Sequence, residues 1–461
     1  MQDQIRATSR LSLNLGLRYE FYQPEKDTDG FYSFFLPNRY DRTKAPQILP
    51  ANGQIVTGTE NFGNGIVIAG KDGPFGNSVT NTVYNTVAPR GGFSYALTKD
   101  NLTVLRGGFG MFHDRWSQNV STLRNNYPFN QSASIFTAAL SNPAQGQRRL
   151  FPIALSNFAS PWNIPYYMKW SLGLQRQLPA QVLLDASYVG SRGVALVRNR
   201  DINQPIASVA VAAGQLNPNA ARPYPGFAGI TTFETSGNSI YHSLQASASR
   251  RFSHGVALQA SYTFSRSFDN NVTPINSYAD SRMERALSSF DRTHVLALSY
   301  IYELPFFRGG AGLSRKILYG WQVSGISRFE SGTPLNVTIP GDRAGVGGGG
   351  QRPDVIAPVV VEKQLVRWFS TGSFANPALG TFGNAGRNLV RGPGINNWDV
   401  SFIKRTNLTE SVALQFRAEF FNLFNHTQLA GVNTSLGAAA FGQITSARDP
   451  RITQLALRLL F

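Results

Sequence analysis

The groups in this chain that could perform chemistry are five histidines, a glycine-rich segment and numerous serines. The histidines are dispersed, without the spacing to one another or to carboxylates that a metal site needs: His113, His242, His254, His294 and His426. Residues 345–350 spell G-x-G-x-x-G, but a nucleotide site needs a strand before this pattern and a helix after it. No G-x-S-x-G nucleophile motif is present, and cysteine is absent. The sequence therefore predicts a protein that is not an enzyme and holds no cofactor or metal.

The composition limits which classes of protein the chain can belong to. The chain has 461 residues, 15% of them charged, with 44 glycines, and it contains no apolar run long enough for a membrane-spanning helix. Its net charge is +17, from 43 Lys and Arg against 26 Asp and Glu. Because these charges are scattered and form no basic helix or block, they indicate a solvated surface or lumen wall and no nucleic-acid partner.

The last ten residues, Ile452 to Phe461, read as an amphipathic strand. Four of them lie on one side of an extended chain and form an apolar edge with an aromatic end: Leu455, Leu457, Leu459 and Phe461. A soluble protein seldom exposes such an edge, since bare strand edges aggregate. In a transmembrane barrel, the last strand pairs with the first and its apolar side faces lipid. We therefore expect a strand that closes over this one.

The same alternation recurs along the chain and predicts about twelve strands. They are Ser9 to Tyr22, Val87 to Leu97, Leu102 to Phe112, Tyr166 to Leu174, Val182 to Tyr188, Leu244 to Phe252, Val256 to Phe264, Leu296 to Tyr302, a strand from Trp321, Trp398 to Phe402, Val412 to Phe420, and Ile452 to Phe461.

Long connections alternate with short ones between these strands. Two of the predicted long loops run from Asp114 to Trp162 and from Gly190 to Ser239, while Thr98 to Asn101 and Pro179-Ala180 are tight turns. Outer-membrane barrels show this pattern, with short periplasmic turns and long outer loops. The sequence thus predicts an all-β fold, an antiparallel transmembrane β-barrel of outer-membrane type.

The placement of charges agrees with this fold, because Arg or Lys on a lipid face costs roughly 2–4 kcal/mol at mid-membrane. We assign to the polar face Arg18, Glu20, Arg106, Asp185, Arg328, Arg417, Glu419 and Arg458. The exceptions, Arg176, Arg250 and Lys404, lie close to short turns, where they can reach the headgroups.

Aromatic residues fall into two groups. Those in the first long loop are candidates for ligand contact, with simple loop packing as the alternative: Phe31, Tyr32, Phe34, Phe35 and Tyr40. Those at strand ends suit an interfacial girdle: Tyr22, Trp162, Tyr166, Tyr302, Trp321 and Trp398.

Several stretches resemble the C-terminal barrel of TonB-dependent outer-membrane receptors, especially the Oar-like group. They span nearly the whole chain, and their order and spacing carry the resemblance: Leu11 to Glu20, Ala88 to Tyr95, Ala186 to Gly193, Ala260 to Asn270, Gly320 to Ile326 and Phe416 to His426. The resemblance implies a barrel of roughly 22 strands, an N-terminal plug, a segment that engages TonB and a signal peptide. None of these is visible, and Gln2 to Ala7 looks like the end of a preceding strand.

We therefore expect residues 1–461 to be the C-terminal portion of a receptor barrel, a fragment that serves the energised uptake of a large or scarce solute. The alternative is a structural or adhesive outer-membrane barrel with ligand-binding loops. The resemblance implies a Gram-negative-type outer membrane, with the C-terminus in the periplasm and an apolar terminal strand that the barrel-assembly machinery recognises. Its further partners would be outer-membrane lipid, the missing barrel and plug portion, TonB acting through the plug, and an unidentified solute.

Overall fold

Thirteen principal strands form the continuous path of one large 15-stranded sheet in a computed structural model of the chain, and two short strands lie off this path. The structure describes residues 2–114, 120–131, 134–136, 141–142, 147–306, 312 and 317–461. The strands are β1 (Gln2–Arg6), β2 (Leu11–Tyr22), β3 (Val83–Ala96), β4 (Thr103–His113), β5 (Tyr166–Leu178), β6 (Val182–Asp201), β7 (Phe227–Ser253), β8 (Val256–Asp269), β9 (His294–Glu303), β10 (Trp321–Glu330), β11 (Ile395–Asn407), β12 (Ala413–Phe421) and β13 (Ile452–Leu460).

Each strand pairs antiparallel with its neighbours in chain order, from β1 to β13. All twelve predicted strands are confirmed, and β1 accounts for the segment that looked like the end of a preceding strand. The terminal strand is covered on one side, as expected, by β12. In the part of the chain that the structure describes, β13 pairs with β12 alone and β1 with β2 alone. These two strands are therefore the edges of the sheet.

The short connections lie at one end of the sheet, which we call the short-turn end. The turn between β7 and β8 has only two residues outside the strands, His254 and Gly255, both with positive φ. Two consecutive left-handed residues make the hairpin turn whose twist matches that of paired strands. Asn101, Ala180 and Gln181 also have positive φ in the turns after β3 and β5. The predicted alternation of short and long connections is confirmed, although most of the connection between β9 and β10 lies outside the described residues.

The region from Gly190 to Ser239 is not the long loop that the sequence predicted. Strand β6 continues to Asp201 and β7 begins at Phe227, so the two strands remain paired far above their neighbours. The register shifts between Gly193 and Arg198, and Ile153–Phe158 adds to β7 as a short parallel strand. Polar and apolar residues do not alternate regularly in this extension, because both of its sides contact other loops. The period-two signal of a strand is therefore missing here.

Cross-strand register assigns the two faces of the sheet, since directly paired residues point to the same side. Leu17 pairs with Pro89, and Leu172 pairs with both Gly107 and Tyr188, on what we call the apolar face. The charged residues predicted for the polar face all have register partners on that face; for example, Arg106 is opposite Ser94 and Gly173. This prediction is confirmed.

The three predicted exceptions lie on the apolar face at the short-turn end. Arg176 donates to the Thr103 hydroxyl at 3.4 Å, Arg250 to the Ser253 carbonyl at 3.3 Å, and Lys404 to the Tyr319 carbonyl. Each cation thus turns toward polar atoms near the turn. The register places three further charges on this face that the sequence analysis missed: Asp3, Arg192 and Arg266.

The long connections lie at the opposite end, which we call the loop end. They contain short strands at Ser33–Phe35, Ile66–Ile68, Ser134–Phe136, Gln147–Arg149, Ile153–Phe158, Ala286–Leu287, Pro334–Leu335, Asp354–Val355, Phe374–Ala375, Val390–Arg391, Leu429–Val432 and Ile444–Ala447. Short helices lie at Pro37–Arg39, Arg42–Lys44, Val120–Asn125, Pro218–Ala221, Ser281–Glu284 and Thr371–Ser373, all 3₁₀, and at Val209–Ala212, which is α-helical; a further 3₁₀ turn, Pro179–Gln181, joins β5 to β6. None of the described helices has the length and apolarity to cross a membrane.

Candidate functional site

The polar face of strands β2 to β5 carries a row of basic side chains. Arg90 is paired with Gly16 on one side and with Gly110 on the other, and Gly110 is paired in turn with Lys169. The Phe112 ring lies between the two cations, with the Arg90 guanidinium 4.7 Å and the Lys169 ammonium 5.7 Å from its centre. Contacts of this kind hold a cation in place without neutralising its charge.

These cations have no carboxylate partner among the described residues. The salt bridges of the described chain leave out Arg90, Arg106 and Lys169, whereas Arg18 pairs with Glu20. All three unpaired side chains are exposed. This part of the polar face therefore presents a net positive surface that suits an anionic or strongly polar solute.

Glycines keep the wall beside these cations free of bulk. Asn14 on β2 is paired with Gly92, and Gly92 with Gly108 across β3 and β4. A depression of about 370 Å³ opens here, lined by Asn14, Gly16, Leu17, Arg18, Arg90, Gly91 and Gly92. A Cβ at Gly92 would lie in ordinary van der Waals contact with the Gly107 carbonyl, at 3.4 Å, so a larger residue would add bulk to this wall.

The polar face of strands β10 to β12 is different, because most of its charges lie in ion pairs. Arg417 donates to Glu419 at 2.7 Å, and Glu330 accepts from Arg292 at 3.0 Å and from Arg328. Arg417 and Glu419, which the sequence placed on the polar face, thus form an ion pair with each other within the wall. Among the described residues, the polar face of β10 to β12 has one cation outside an ion pair, Arg405, whereas that of β2 to β5 has three.

The loop aromatics that were candidates for ligand contact are mostly packed into loop cores. Tyr32 and Phe34 belong to one buried cluster, and Phe35 is fully buried in another with Leu155, Phe227 and Ile230. Tyr40 packs against Phe35, and its hydroxyl donates to the Pro225 carbonyl at 2.7 Å. Burial raises the pKa of Tyr40 to about 12. Phe31 alone of these five remains exposed, so loop packing accounts for the other four.

Two of the aromatics predicted for the interfacial girdle lie elsewhere. Trp162 is 2% exposed inside the loop core that includes Phe158, because the connection before β5 folds back over the first long loop. Tyr22 packs against the same core and donates to Glu20 at 2.8 Å. The register places the others on the apolar face: Tyr166, Tyr302, Trp321 and Trp398.

Two histidines belong to an interfacial row that the sequence analysis did not find. On the apolar face, the Tyr188 hydroxyl lies 2.6 Å from Nδ1 of His242, and the Tyr262 hydroxyl lies 2.8 Å from Nδ1 of His294. Each ring pair is stacked. The sequence shows tyrosines and histidines at apolar-face positions, but only the register shows which tyrosine contacts which histidine.

No cluster of His, Asp and Glu that could hold a metal occurs in the part of the chain the structure describes. His113 lies at the end of β4, His254 in the turn after β7, and His426 in the connection before β13. Residues 345–350 form a loop between β10 and β11, with Gly345 packed against the Ser208 carbonyl. These positions offer neither a metal site nor the strand and helix of a nucleotide site.

Ion pairs join the long connections to one another at the loop end. Arg352 forms a double hydrogen bond with Glu284 at 2.8 and 2.9 Å, and both side chains are largely buried. Arg387 reaches Asp269 at 2.6 Å, and Arg391 reaches Asp291 at 3.0 Å. The connection between β10 and β11 is thereby fixed to the one between β8 and β9. The connection between β10 and β11 also contains a third buried core, made of Val337, Trp368, Phe369, Phe374 and Val390.

A buried ionic centre also closes the extension of β6 and β7. Glu234 accepts from Arg198 at 2.8–2.9 Å and from Arg200 at 2.8 Å, and Ser236 donates to it at 2.7 Å. Burial by itself would raise the pKa of Glu234, but the Ser236 hydrogen bond and the two guanidiniums outweigh it and hold the pKa below its ordinary value.

Comparison with known proteins decides the family. The outer membrane beta barrel domain matches residues 1–454. The chain belongs to this family. It is therefore an outer-membrane β-barrel protein, with the apolar face of its sheet toward lipid and the polar face away from it. Comparison with curated proteins gave no match.

Solved structures of outer-membrane transporters resemble the barrel at low identity. The chain is similar to the transporter YddB from Escherichia coli, at 11% identity over 82% of this chain and 41% of that one, with a TM-score of 0.46. It is similar to the ferripyoverdine receptor of Pseudomonas aeruginosa, at 11% identity over 99% and 37%, TM-score 0.43. The siderophore receptor PiuA from Acinetobacter baumannii follows, at 10% identity over 100% and 42%, TM-score 0.45. The barrel spans less than half of each of these proteins.

Proposed function

We propose that this barrel is the C-terminal portion of an Oar-like TonB-dependent receptor, which takes up a large or scarce solute across the outer membrane. The observation that carries the proposal is the polar face of β2 to β5, where Arg90, Arg106 and Lys169 are exposed and unpaired. A merely structural barrel wall gains nothing from unpaired like charges, which repel one another. Charges of this kind beside a glycine-lined depression suit the passage of an anionic solute.

In this proposal, the loop end faces the exterior and the C-terminus lies in the periplasm. The solute first meets the loop layer, which its own ion pairs and cores hold in a fixed shape. The solute then passes along the basic wall. Energy comes from TonB through a plug domain. The barrel-assembly machinery recognises the exposed apolar side chains of the last strand: Leu455 (65% exposed), Leu457 (68%), Leu459 (44%) and Phe461 (92%).

The two edge strands support a further part of the proposal, that residues 1–461 are one portion of a larger barrel. An unpaired strand edge in lipid costs several kcal/mol for each polar group left without a partner. Additional strands that pair with β1 and β13 remove this cost. Translation of the DNA upstream of Met1 in the same frame tests the idea, since it should encode further alternating strands, a plug and a signal peptide.

Uptake is tested by deleting the gene from its natural host and measuring energy-dependent accumulation of labelled solutes. Restoring the gene should restore uptake, whereas the variant Arg90→Gln/Lys169→Gln should restore much less of it. Arg458→Gln, on the same face at the short-turn end of β13, is the matched control. Equal uptake with and without the gene, or with and without the proton-motive force, would refute the proposal.

An adhesive outer-membrane protein is the alternative function, and one observation favours it. The connection between β10 and β11 exposes four large apolar side chains, with Ile356 65%, Val360 56%, Leu365 60% and Val366 72% exposed. Exposed apolar patches commonly contact another macromolecule. Loss of surface attachment on deletion, with uptake unchanged, would support this function over transport.

A further inference from the structure

An unassigned cleft lies on the apolar side of the sheet, just above the aromatic row. It has a volume of about 370 Å³ and lies where β6, β7 and β8 meet the connection after β8. Its lining includes Arg192, Ile240, Phe268, Arg282 and Arg285, and its other five residues are polar. We call it the arginine cleft. It lies on the opposite side of the sheet from the basic wall of the proposed solute path.

The register shows that the cleft faces lipid. Arg192 is paired with Ile240, and Ile240 with Phe268, so the three side chains form one row on the apolar face. Leu287 is paired with Phe268, so Arg285, two residues earlier, lies on the same side. The cleft thus combines guanidinium groups with apolar side chains that continue the lipid-facing surface.

The height of the row places it at the membrane boundary. On β7, Arg250 and Ile240 mark the two ends of the apolar face, and about ten residues at ~3.3 Å each, tilted by ~40°, rise ~25 Å. This is the height of the apolar band of an outer-membrane barrel. The His242 row lies one step lower, at the level of an aromatic girdle. The cleft therefore lies where lipid headgroups begin.

The charge of the cleft is positive because the carboxylate in its lining is already paired. Asp269 is paired with Arg387 at 2.6 Å, while the lining Arg282 is paired with Asp280, outside the lining, at 2.5 Å. Arg192 and Arg285 are exposed and have no ion-pair partner among the described residues. Arg266, one step below Phe268 on the same face, is likewise unpaired. Guanidinium groups bind phosphate through two hydrogen bonds at once.

We propose that the arginine cleft binds a phosphate-bearing glycolipid of the outer leaflet. Arg192 and Arg285 hold the phosphate, and Ile240 and Phe268 contact the first carbons of the acyl chains. The assignment rests on the proposed orientation, with the loop end outward, and is independent of which solute the barrel takes up. A bound lipid would bridge the sheet and the connection that carries Glu284, joining the barrel wall to the loop layer.

The test uses the full chain in mild detergent and measures lipid binding by native mass spectrometry. The probes are diphosphorylated lipid A and the same lipid with its phosphates removed. Two basic groups at an anionic lipid surface account for about a 30-fold change in affinity. Arg192→Gln/Arg285→Gln should therefore bind diphosphorylated lipid A about 30-fold more weakly, and the native chain should bind the dephosphorylated lipid equally weakly.

The control is Arg405→Gln/Arg458→Gln, which removes the same charge from the polar face outside the proposed solute path and should leave lipid binding unchanged. Heat-modifiable migration shows that each variant is folded, and the single variant Arg285→Gln, outside the principal strands, serves if the double variant does not fold. An equal loss in the control, or equal binding of both lipids, would overturn the proposal. Displacement of the lipid by an equal concentration of inorganic phosphate would show a free-phosphate site instead. A failure of solute uptake would leave these results untouched.

Discussion

Leu172 offers the sharpest test of which face of the sheet meets lipid. It is half exposed on the apolar face of β5, with Gly107 and Tyr188 as register partners. Four residues separate it from Arg176 and six from Tyr166, which at ~3.3 Å per residue and a ~40° tilt put it ~10 Å and ~15 Å from the two boundaries. Leu172 therefore lies near the middle of the apolar band.

Leu172→Arg should destabilise the barrel by about 2–4 kcal/mol, the cost of an arginine at the bilayer midplane. This corresponds to a fall of about 30-fold to several hundred-fold in the ratio of folded to unfolded chain. The matched control is Ser171→Arg, one residue earlier on the same strand, whose side chain is exposed on the polar face. A surface change of that kind should alter the free energy of unfolding by no more than about 0.5 kcal/mol.

The assay is denaturant unfolding of the chain in phospholipid vesicles, followed by tryptophan fluorescence and by heat-modifiable migration. The difference between the two variants carries the information, because both introduce the same side chain at the same depth. If Ser171→Arg is as damaging as Leu172→Arg, the sheet does not have one lipid-facing side. If Ser171→Arg is the worse of the two, the faces are assigned the wrong way round.

Three further predictions concern the loop end. Glu284→Ala leaves the guanidinium of Arg352 buried without a partner, so it should destabilise the loop layer by about 3 kcal/mol and admit proteases to the connection between β10 and β11. Because the pKa of Glu234 is lower in the folded chain than its ordinary value of 4.5, its stabilisation is complete above that value and is lost as the pH falls through the folded pKa. Glu234→Gln should therefore lower the melting temperature at pH 7 and flatten its decline in acid; an unchanged acid profile would contradict this. Trp162→Ala should cost about 3–5 kcal/mol in loop stability, measured by hydrogen exchange, whereas Phe31→Ala, at an exposed position, should cost less than 1 kcal/mol.

The strands at the level of the membrane could be predicted from the sequence because their pattern is local. In β2, β8 and β13 the side chains point alternately toward lipid and toward a polar space. Apolar and polar residues therefore alternate along the sequence of each strand. The same reasoning placed Arg417 and Arg458 on the polar face and Lys404 near a turn, and the register confirms all three.

The loop end could not be predicted in this way, since its environment is set by residues far apart in the chain. Trp162 is buried only because the connection before β5 packs against Tyr32 and Phe34 in the first long connection. Glu284 and Arg352 are separated by two principal strands, β9 and β10, and meet only when the connections fold over one another. No local period records such contacts, so strand-end aromatics and loop-core aromatics look alike in the sequence.

The sequence by itself therefore determined the class of fold, the two faces of the sheet and the alternation of short and long connections, because these follow from periodicity and turn chemistry. The tertiary structure decided that β6 and β7 continue beyond the membrane, that β1 and β13 are left as edges, and that four of five candidate ligand aromatics pack in or against loop cores. It also brought Arg192 beside Arg285, from strands and connections that the sequence leaves unrelated. These features depend on pairing and packing between segments far apart in the chain. The residue pattern within one strand does not indicate which distant segment it will contact.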